Sequence, residues 1–332
     1  MNNKEYRHIK EDCVAYQEGG MGCPDWPKCF GYYIPPTDAS ALNFKPNHEY
    51  KKGHVIKIDD YFYYAKSDFT TAQNLNIENW EKNTKHEYNT FNVTHTWIEY
   101  INRLIGAIAG LSVLILFINS LKFIKKKRSI TILAFLSLTG ILFQAWLGKI
   151  VVDSNLLAGK ITIHMLMAIL VVSILFILLS KLNEKKSNLI FNRYISTLTL
   201  ISLILLIIQV LSGTELRQFI DIEMLSYNYS DKNKWLMNPP ESFYFHRSFS
   251  IIIFIVNSLI FLKLKKMIIV NKIFNIIMIL LFIQILTGIM MYYFNFPFST
   301  QPIHLLISSL IIGFQVYFYV LLNNNKNHGI KN

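Results

Sequence analysis

Seven long apolar stretches constrain the fold of this chain more than any other feature of its sequence. The stretches are at residues 98–121, 129–151, 161–180, 194–214, 244–264, 273–293 and 302–322. Stretches of about 20 residues cross the hydrocarbon core of a bilayer as α-helices, which satisfy their own backbone groups in lipid. The sequence therefore predicts an all-α, polytopic membrane bundle with seven spans and excludes a single soluble globular domain.

Lysine and arginine are distributed unevenly among the connections between these spans. One set of alternate connections, together with the C-terminal tail, carries 15 of them, and the other set carries 4. Because cytoplasmic connections are enriched in these residues, the first set is predicted to be cytoplasmic, with the N-terminal segment outside and the C-terminus inside. The same distribution accounts for the net charge of +12 without a nucleic-acid partner.

An internal repeat relates the second and third spans to the sixth and seventh. A glutamine near the end of one span precedes a histidine near the start of the next by 20 residues in both places, Gln144 with His164 and Gln284 with His304. Repeats of this kind indicate duplicated structural units. The sequence therefore predicts two related helical halves.

Upstream motifs extend the repeat, because Tyr100-Ile-Asn-Arg103 parallels Tyr244-Phe-His-Arg247. We expect an outer aqueous segment at 1–97, a first helical half at 98–180 and a second half at 194–322. A full duplication requires an eighth helix near the amino terminus, where the sequence is polar and does not resemble a signal peptide. We expect that one helix is missing, through true loss or a wrong start site.

Three histidines lie within the spans, where ionisable residues are rare and usually functional. His246 and His304 hold matching positions in their spans, and we predict that they are axial ligands of one haem iron. Arg247 at the outer rim then pairs with haem propionates, although such a residue also snorkels to the interface without a ligand. His164 is the corresponding histidine of the first half, and hydrogen bonding to a neighbouring helix remains the alternative for any one of the three.

The first half has Asn102 at the position of His246. An amide is a poor iron ligand, so Asn102 and His164 offer only one strong axial nitrogen and leave a coordination position open for chemistry. Glu99 lies one helical turn from this position and could act as acid, base or charge stabiliser. An ion pair between Glu99 and Arg103 explains the same spacing equally well.

The outer segment contains Cys23 and Cys29, separated by a turn with two prolines. An exterior compartment favours oxidation, so a disulfide is the leading interpretation. A redox-active pair is the second and a metal site the third, and Cys13 is left without a partner.

Several motifs together resemble one known family. They are Gly20-Met-Gly-Cys23-Pro-Asp-Trp-Pro-Lys-Cys29-Phe-Gly, Ile34-Pro-Pro, Glu99-Tyr-Ile-Asn102-Arg103, Gly213-Thr-Glu-Leu-Arg217 with Ile220-Asp221, His246-Arg247 and His304. In this order they closely resemble the haem A synthase family. The resemblance implies an eight-helix enzyme of two four-helix halves, which oxidises the methyl group on ring D of haem O to the formyl group of haem A.

The resemblance also implies roles for particular residues. His246 and His304 hold a resident haem b that relays electrons, and Glu99 and His164 belong to the substrate site. At the position of Asn102, beside Arg103, the family commonly has histidine. Cys23 and Cys29 form a bridge or a redox pair.

By the same resemblance the enzyme acts at the outer side of a bacterial cytoplasmic membrane. It receives haem O from a farnesyltransferase and serves cytochrome oxidase assembly, and homo-oligomer formation is left open. A cytochrome b-like electron carrier is the alternative function, and an inactive truncated copy or an assembly subunit is a third. Transport is disfavoured, because the sequence breaks no span with a mid-membrane proline or paired charges.

Overall fold

A computed structural model describes residues 22–59, 61–84, 91–154, 157–183, 191–227, 231–267, 272–297 and 299–324. Within these residues, seven helices are long and apolar enough to cross a membrane. The helices are α1 Val93–Ser120, α2 Arg128–Asp153, α3 Ala158–Leu182, α4 Arg193–Ser226, α5 Glu241–Lys266, α6 Lys272–Tyr293 and α7 Thr300–Asn324. The predicted polytopic helical bundle is confirmed.

Helix α4 continues well beyond the end of its apolar stretch at residue 214 and ends at Ser226. Its last turns carry charged residues, among them Arg217 and Asp221, whose side chains approach to 3.5 Å one turn apart. Ion pairs at this spacing stabilise a helix. Such a pair contributes only about 0.2–0.5 kcal/mol. The end of α4 is held mainly by packing, because Ile220 is buried in an apolar cluster with Trp235 and Phe296.

The extramembrane segment before α1 contains five short strands. They are β1 Glu49–Tyr50, β2 Val55–Ile58, β3 Tyr61–Ala65, β4 Phe69–Thr70 and β5 Trp80–Lys82. Strand β3 pairs antiparallel with β2 and β5, and β1 pairs antiparallel with β4. Side chains from alternate positions of the strands are buried in two small apolar clusters, so this segment has a core of its own.

The chain divides into two compact units. The first lies within Met1–Leu111 and Ala145–Lys160, and the second within Ser112–Gln144 and Ile161–Asn332. In the second unit α4 packs on α5, α5 on α6, α6 on α7, and α7 on α4. These four helices therefore form a closed bundle around a core of buried aliphatic and phenylalanine side chains.

A polar cluster lies inside this four-helix bundle. Asn257 of α5 donates a hydrogen bond of 2.8 Å to Ser202 of α4, and Gln315 of α7 donates to both of them. All three residues are fully buried. Because buried polar groups must find partners, this cluster fixes how α4, α5 and α7 sit against one another.

In the same unit, helix α3 packs closely against α7 at Gly313. A Cβ atom added at Gly313 of α7 would lie 2.4 Å from the ring of Phe176 of α3. The ring of Phe176 also contacts Phe314 edge-on, with 5.0 Å between ring centres. Glycine at position 313 is therefore required by close helix packing.

Candidate functional site

Two histidines of the second unit face each other within its helical bundle. His246 lies in the second turn of α5 and His304 in the second turn of α7. Their ring centres are 6.4 Å apart, and the ring planes make an angle of 50°. The structure therefore brings together the two histidines that the sequence pairs.

The imidazole of His246 is held by the end of α4. The hydroxyl of Ser212 donates to the backbone carbonyl of Gln209 at 3.0 Å and lies 3.0 Å from Nδ1 of His246. Because its hydrogen is directed to the carbonyl, the hydroxyl oxygen accepts from Nδ1–H. The amide of Gln209 also donates to the backbone carbonyl of His246, at 2.9 Å.

The imidazole of His304 has the same arrangement with α6. The hydroxyl of Thr287 donates to the carbonyl of Gln284 at 2.9 Å and lies 2.8 Å from Nδ1 of His304. With its hydrogen on this carbonyl, the hydroxyl oxygen can again accept from Nδ1–H. Both networks are compatible with the tautomer in which Nδ1 carries the proton and Nε2 has a free electron pair, as a metal ligand requires.

The separation of the two rings fits one metal ion held between them. An imidazole nitrogen lies about 2 Å from a bound metal ion and about 1.1 Å from its own ring centre, given ring bonds of about 1.33 Å. Two rings on opposite sides of one ion are then about 6 Å apart, close to the observed 6.4 Å. The ring separation is therefore compatible with one metal ion held between the two imidazoles.

Glycines let the helices approach these imidazoles closely. A Cβ atom added at Gly213, next to Ser212, would lie 2.9 Å from Cε1 of His246, a distance at which the ring must move. The corresponding atom at Gly288 would lie 3.7 Å from Cε1 of His304, which is an ordinary contact. Gly213 is therefore the more constrained position of the two.

Two other residues that the sequence places near the ligands are exposed. The guanidinium of Arg247 lies 5.9 Å from the centre of the Tyr292 ring. The side chain of Asn102 lies on the exposed face of α1. The exposed guanidinium of Arg247, one residue after His246, can approach an anionic group. The predicted roles of both residues stay predictions.

His164 of α3 is held differently from the other two histidines. The amide of Gln144 donates to its backbone carbonyl at 3.1 Å and lies 3.2 Å from Nε2, which therefore accepts. Nδ1 of His164 is buried and has no hydrogen-bond partner in the described part of the chain. Nε2 of His164, the nitrogen that would bind a metal ion, is thus hydrogen-bonded to Gln144, whereas Nδ1 has no partner among the described residues.

In the first unit, Glu99 of α1 binds the backbone of the loop that contains the two cysteines, residues 22–31, which we call the disulfide loop. Oε2 of Glu99 accepts from the backbone N–H groups of Gly22 and Cys23, at 2.8 and 3.1 Å. Oε1 accepts from Arg103 at 2.5 Å. The hydroxyl of Thr96 donates to the carbonyl of Gly22 at 2.8 Å, so the start of the loop is anchored to α1.

The side chain of Arg103 binds main-chain oxygen atoms of the same loop. Its guanidinium donates to the carbonyl oxygens of Asp25 at 2.7 Å, Lys28 at 3.0 Å and Cys23 at 3.4 Å. Arg103 and Glu99 thus form the expected ion pair, and the pair also anchors the disulfide loop. Sequence reasoning found the pair but missed its attachment to the loop, because pairing across more than 70 residues leaves no local pattern.

Cys23 and Cys29 are bonded as a disulfide and are almost fully buried. The leading sequence interpretation is thereby confirmed, and Cys13 lies outside the described residues. Among the described residues no group of three or more His, Cys, Asp or Glu side chains could hold a metal ion.

The carboxylate of Asp25 organises the inside of the disulfide loop. It accepts from the backbone N–H groups of Phe30 at 2.6 Å and Gly31 at 2.8 Å. Burial raises the pKa of Asp25, while these N–H groups and the nearby Arg103 oppose the shift. The loop therefore has an internal hydrogen-bond network in addition to its disulfide.

The residues that hold the imidazoles were not predicted from the sequence. They are Gln209, Ser212 and Thr287. A sequence pattern does indicate them. A glutamine followed four residues later by a glycine, which we call the glutamine motif, occurs at Gln284 and Gly288 and again at Gln209 and Gly213. The fourth span, which has no counterpart in the predicted repeat, thus supports His246 as the sixth span supports His304.

A family model described as cytochrome oxidase assembly protein, COX15-CtaA, matches residues 62–316. Because this match covers more than half of the chain, the chain belongs to that family, and the resemblance to haem A synthases is confirmed. Comparison with curated proteins and comparison with solved structures found no match. The chain is thus a membrane protein of a family that serves cytochrome oxidase assembly and haem A synthesis.

Proposed function

We propose that this member of the cytochrome oxidase assembly family is a haem A synthase. It oxidises the methyl group on ring D of haem O to the formyl group of haem A. His246 and His304 are the axial ligands of a resident haem b, which accepts and passes on single electrons when bound.

The observation that carries this proposal is the imidazole pair. Two neutral imidazoles at a ring separation of 6.4 Å, each with Nδ1 bound to a hydroxyl, favour low-spin iron ligation over a purely structural contact. A structural histidine needs one hydrogen-bond partner and no second imidazole. Arg247, exposed one residue after His246, is then available to pair with propionates.

For the substrate, His164 is the ligand of the haem O iron, and Asn102 and Arg103 of α1 are haem-binding residues. Oxidation of the methyl group to the formyl group removes four electrons, which pass to an external acceptor, and Glu99 accepts a proton released in that reaction. Glu99 forms an ion pair with Arg103, which holds its carboxyl group in place.

The reaction takes place at the outer side of a bacterial cytoplasmic membrane, with the N-terminal segment outside and the C-terminus inside. The distribution of lysine and arginine supports this orientation. A farnesyltransferase supplies haem O, and cytochrome oxidase assembly consumes haem A. Homo-oligomer formation stays open, and measurement of the molecular mass of the purified protein tests it.

Pigment analysis of the purified full chain tests the proposal. Co-expressed with the enzyme that supplies haem O, the wild-type chain should contain haem b with a low-spin spectrum and should convert haem O to haem A. His246→Ala and His304→Ala should each abolish the haem b spectrum. Normal low-spin absorbance in both variants would refute the ligand assignment.

A cytochrome b-like electron carrier is the second candidate, because the imidazole pair alone is typical of electron transfer. A carrier would hold haem b and leave haem O unchanged in the same experiment. A third candidate, an inactive copy or assembly subunit, would contain neither haem A nor a reducible haem b.

A further inference from the structure

The glutamine motif occurs three times, and its copies differ at one position. Three residues after the glutamine, α4 has Ser212 and α6 has Thr287, whereas α2 has Leu147. Serine and threonine carry the hydroxyl that accepts from Nδ1–H of the following histidine, at 3.0 and 2.8 Å. Leucine has no hydroxyl, so the third copy lacks this group.

The histidine that follows the third copy differs accordingly. Nδ1 of His164 is buried without a partner among the residues that the structure describes, and its Nε2 accepts from Gln144 at 3.2 Å. A porphyrin iron that binds Nε2 must displace this amide. In His246 and His304, by contrast, it is Nδ1 that lies at hydrogen-bond distance from a hydroxyl, and Nε2 has no such contact with the described residues.

We propose that the hydroxyls of Ser212 and Thr287 are positioning groups that make the second half a site of permanent haem retention. The first half, without such a hydroxyl, binds a porphyrin that exchanges. This inference rests on the proposed function and explains how one chain keeps one haem while releasing another as product.

The physical reason lies in the group that receives the imidazole proton. A hydrogen bond from Nδ1–H fixes the tautomer and the ring orientation and makes Nε2 a stronger electron donor to the metal. Loss of such a partner typically weakens metal binding by about 10- to 100-fold. His164 has no such bond in the described residues and additionally loses its contact with Gln144 on binding iron.

Transfer of haem to apomyoglobin measures retention directly. The purified full chain, loaded by co-expression with haem b and with haem O and any haem A formed from it, is mixed with excess apomyoglobin, and the haem remaining is extracted at intervals. We expect haem O and haem A to leave the wild-type chain at least about tenfold faster than haem b.

Matched variants isolate the hydroxyl. Thr287→Val removes it at nearly constant shape, and Thr287→Ser restores it, while Ser212→Ala tests the second hydroxyl independently. Haem b should leave the Val and Ala variants about 10- to 100-fold faster and leave the Ser variant at the wild-type rate. The haem b midpoint potential should become more positive in the Val and Ala variants only, because a weaker donor stabilises ferric iron less.

Equal rates of haem b loss from Thr287→Val, Thr287→Ser and wild type would overturn this inference and leave the proposed function intact. Retention of haem O for as long as haem b would overturn it as well. A wild-type chain without haem b would overturn the proposed function and the inference together.

Discussion

Replacement of Glu99 separates its role as an anchor from its role in chemistry. Its carboxylate accepts two backbone N–H bonds from the disulfide loop and one bond from Arg103. Hydrogen bonds to charged groups contribute about 1.5–3 kcal/mol each. Because a quarter of the Glu99 side chain is exposed, 26%, the lower value applies.

Glu99→Ala removes both loop bonds and should therefore weaken attachment of the loop by about 3 kcal/mol. Since about 1.4 kcal/mol corresponds to a factor of ten, the detached population should rise about 100-fold. Cys23 and Cys29 are 0% and 1% exposed, so a soluble reductant reaches them only after detachment. Reduction of the disulfide by dithiothreitol should accelerate by a similar factor.

The rate is measured by quenching with a maleimide that shifts the electrophoretic mobility of free thiols, in a Cys13→Ser background. Asp153→Ala is the matched control, because it removes another (i, i+4) ion pair of the first unit, between Lys149 and Asp153. That pair is about half exposed, and such pairs contribute at most about 1 kcal/mol. The control should be reduced at the wild-type rate.

A Glu99→Ala chain reduced no faster than wild type would refute the anchoring argument. If the same variant also accumulated haem O, Glu99 would act in the reaction and not through the loop. Glu99→Gln keeps an acceptor but no charge, so about a tenfold acceleration is expected for it.

Three further perturbations test other parts of the structure. Gly213→Ala should displace the ring of His246 and weaken the haem b spectrum, whereas Gly288→Ala, with an ordinary contact, should leave the spectrum unchanged. Asn257→Leu should cost about 3 kcal/mol in unfolding titrations, because its buried polar partners lose their bonds. Burial lowers the pKa of His54 below 6.5, so its stabilising contribution is complete above pH 6.5 and is lost as the pH falls through the lowered value. The free energy of unfolding of the outer segment should therefore fall in acid, and His54→Gln should remove that part of the pH dependence in unfolding titrations.

The sequence predicts the membrane spans well because span length follows from bilayer thickness. Six of the seven observed helices contain their predicted stretch. The exception is α1, which begins at Val93, five residues before the apolar run, and ends at Ser120, one residue before the end of that run. The five strands were not predicted, because runs of two to five residues carry too little alternation to separate from loops. The end of α4 at Ser226 was missed because its buried residues alternate with charged ones, and their packing against Trp235 and Phe296 is visible only in the structure.

The site was predicted unevenly for a related reason. His246 and His304 stand out because an imidazole within an apolar span is rare. Ser212 and Thr287 do not, because a hydroxyl within a span usually bonds to a carbonyl one turn earlier, as both also do here. The second contact of each hydroxyl, with the imidazole of the next helix, depends on how the two helices pack and is therefore visible only in the structure.

Arg103 donates its hydrogen bonds to main-chain oxygens of the disulfide loop and not to the side chains of the loop. Every amino acid supplies such an oxygen, so the outward-facing residues of this loop can diverge while the attachment persists. The surface chemistry at this edge of the first unit can therefore change without loss of the attachment to α1.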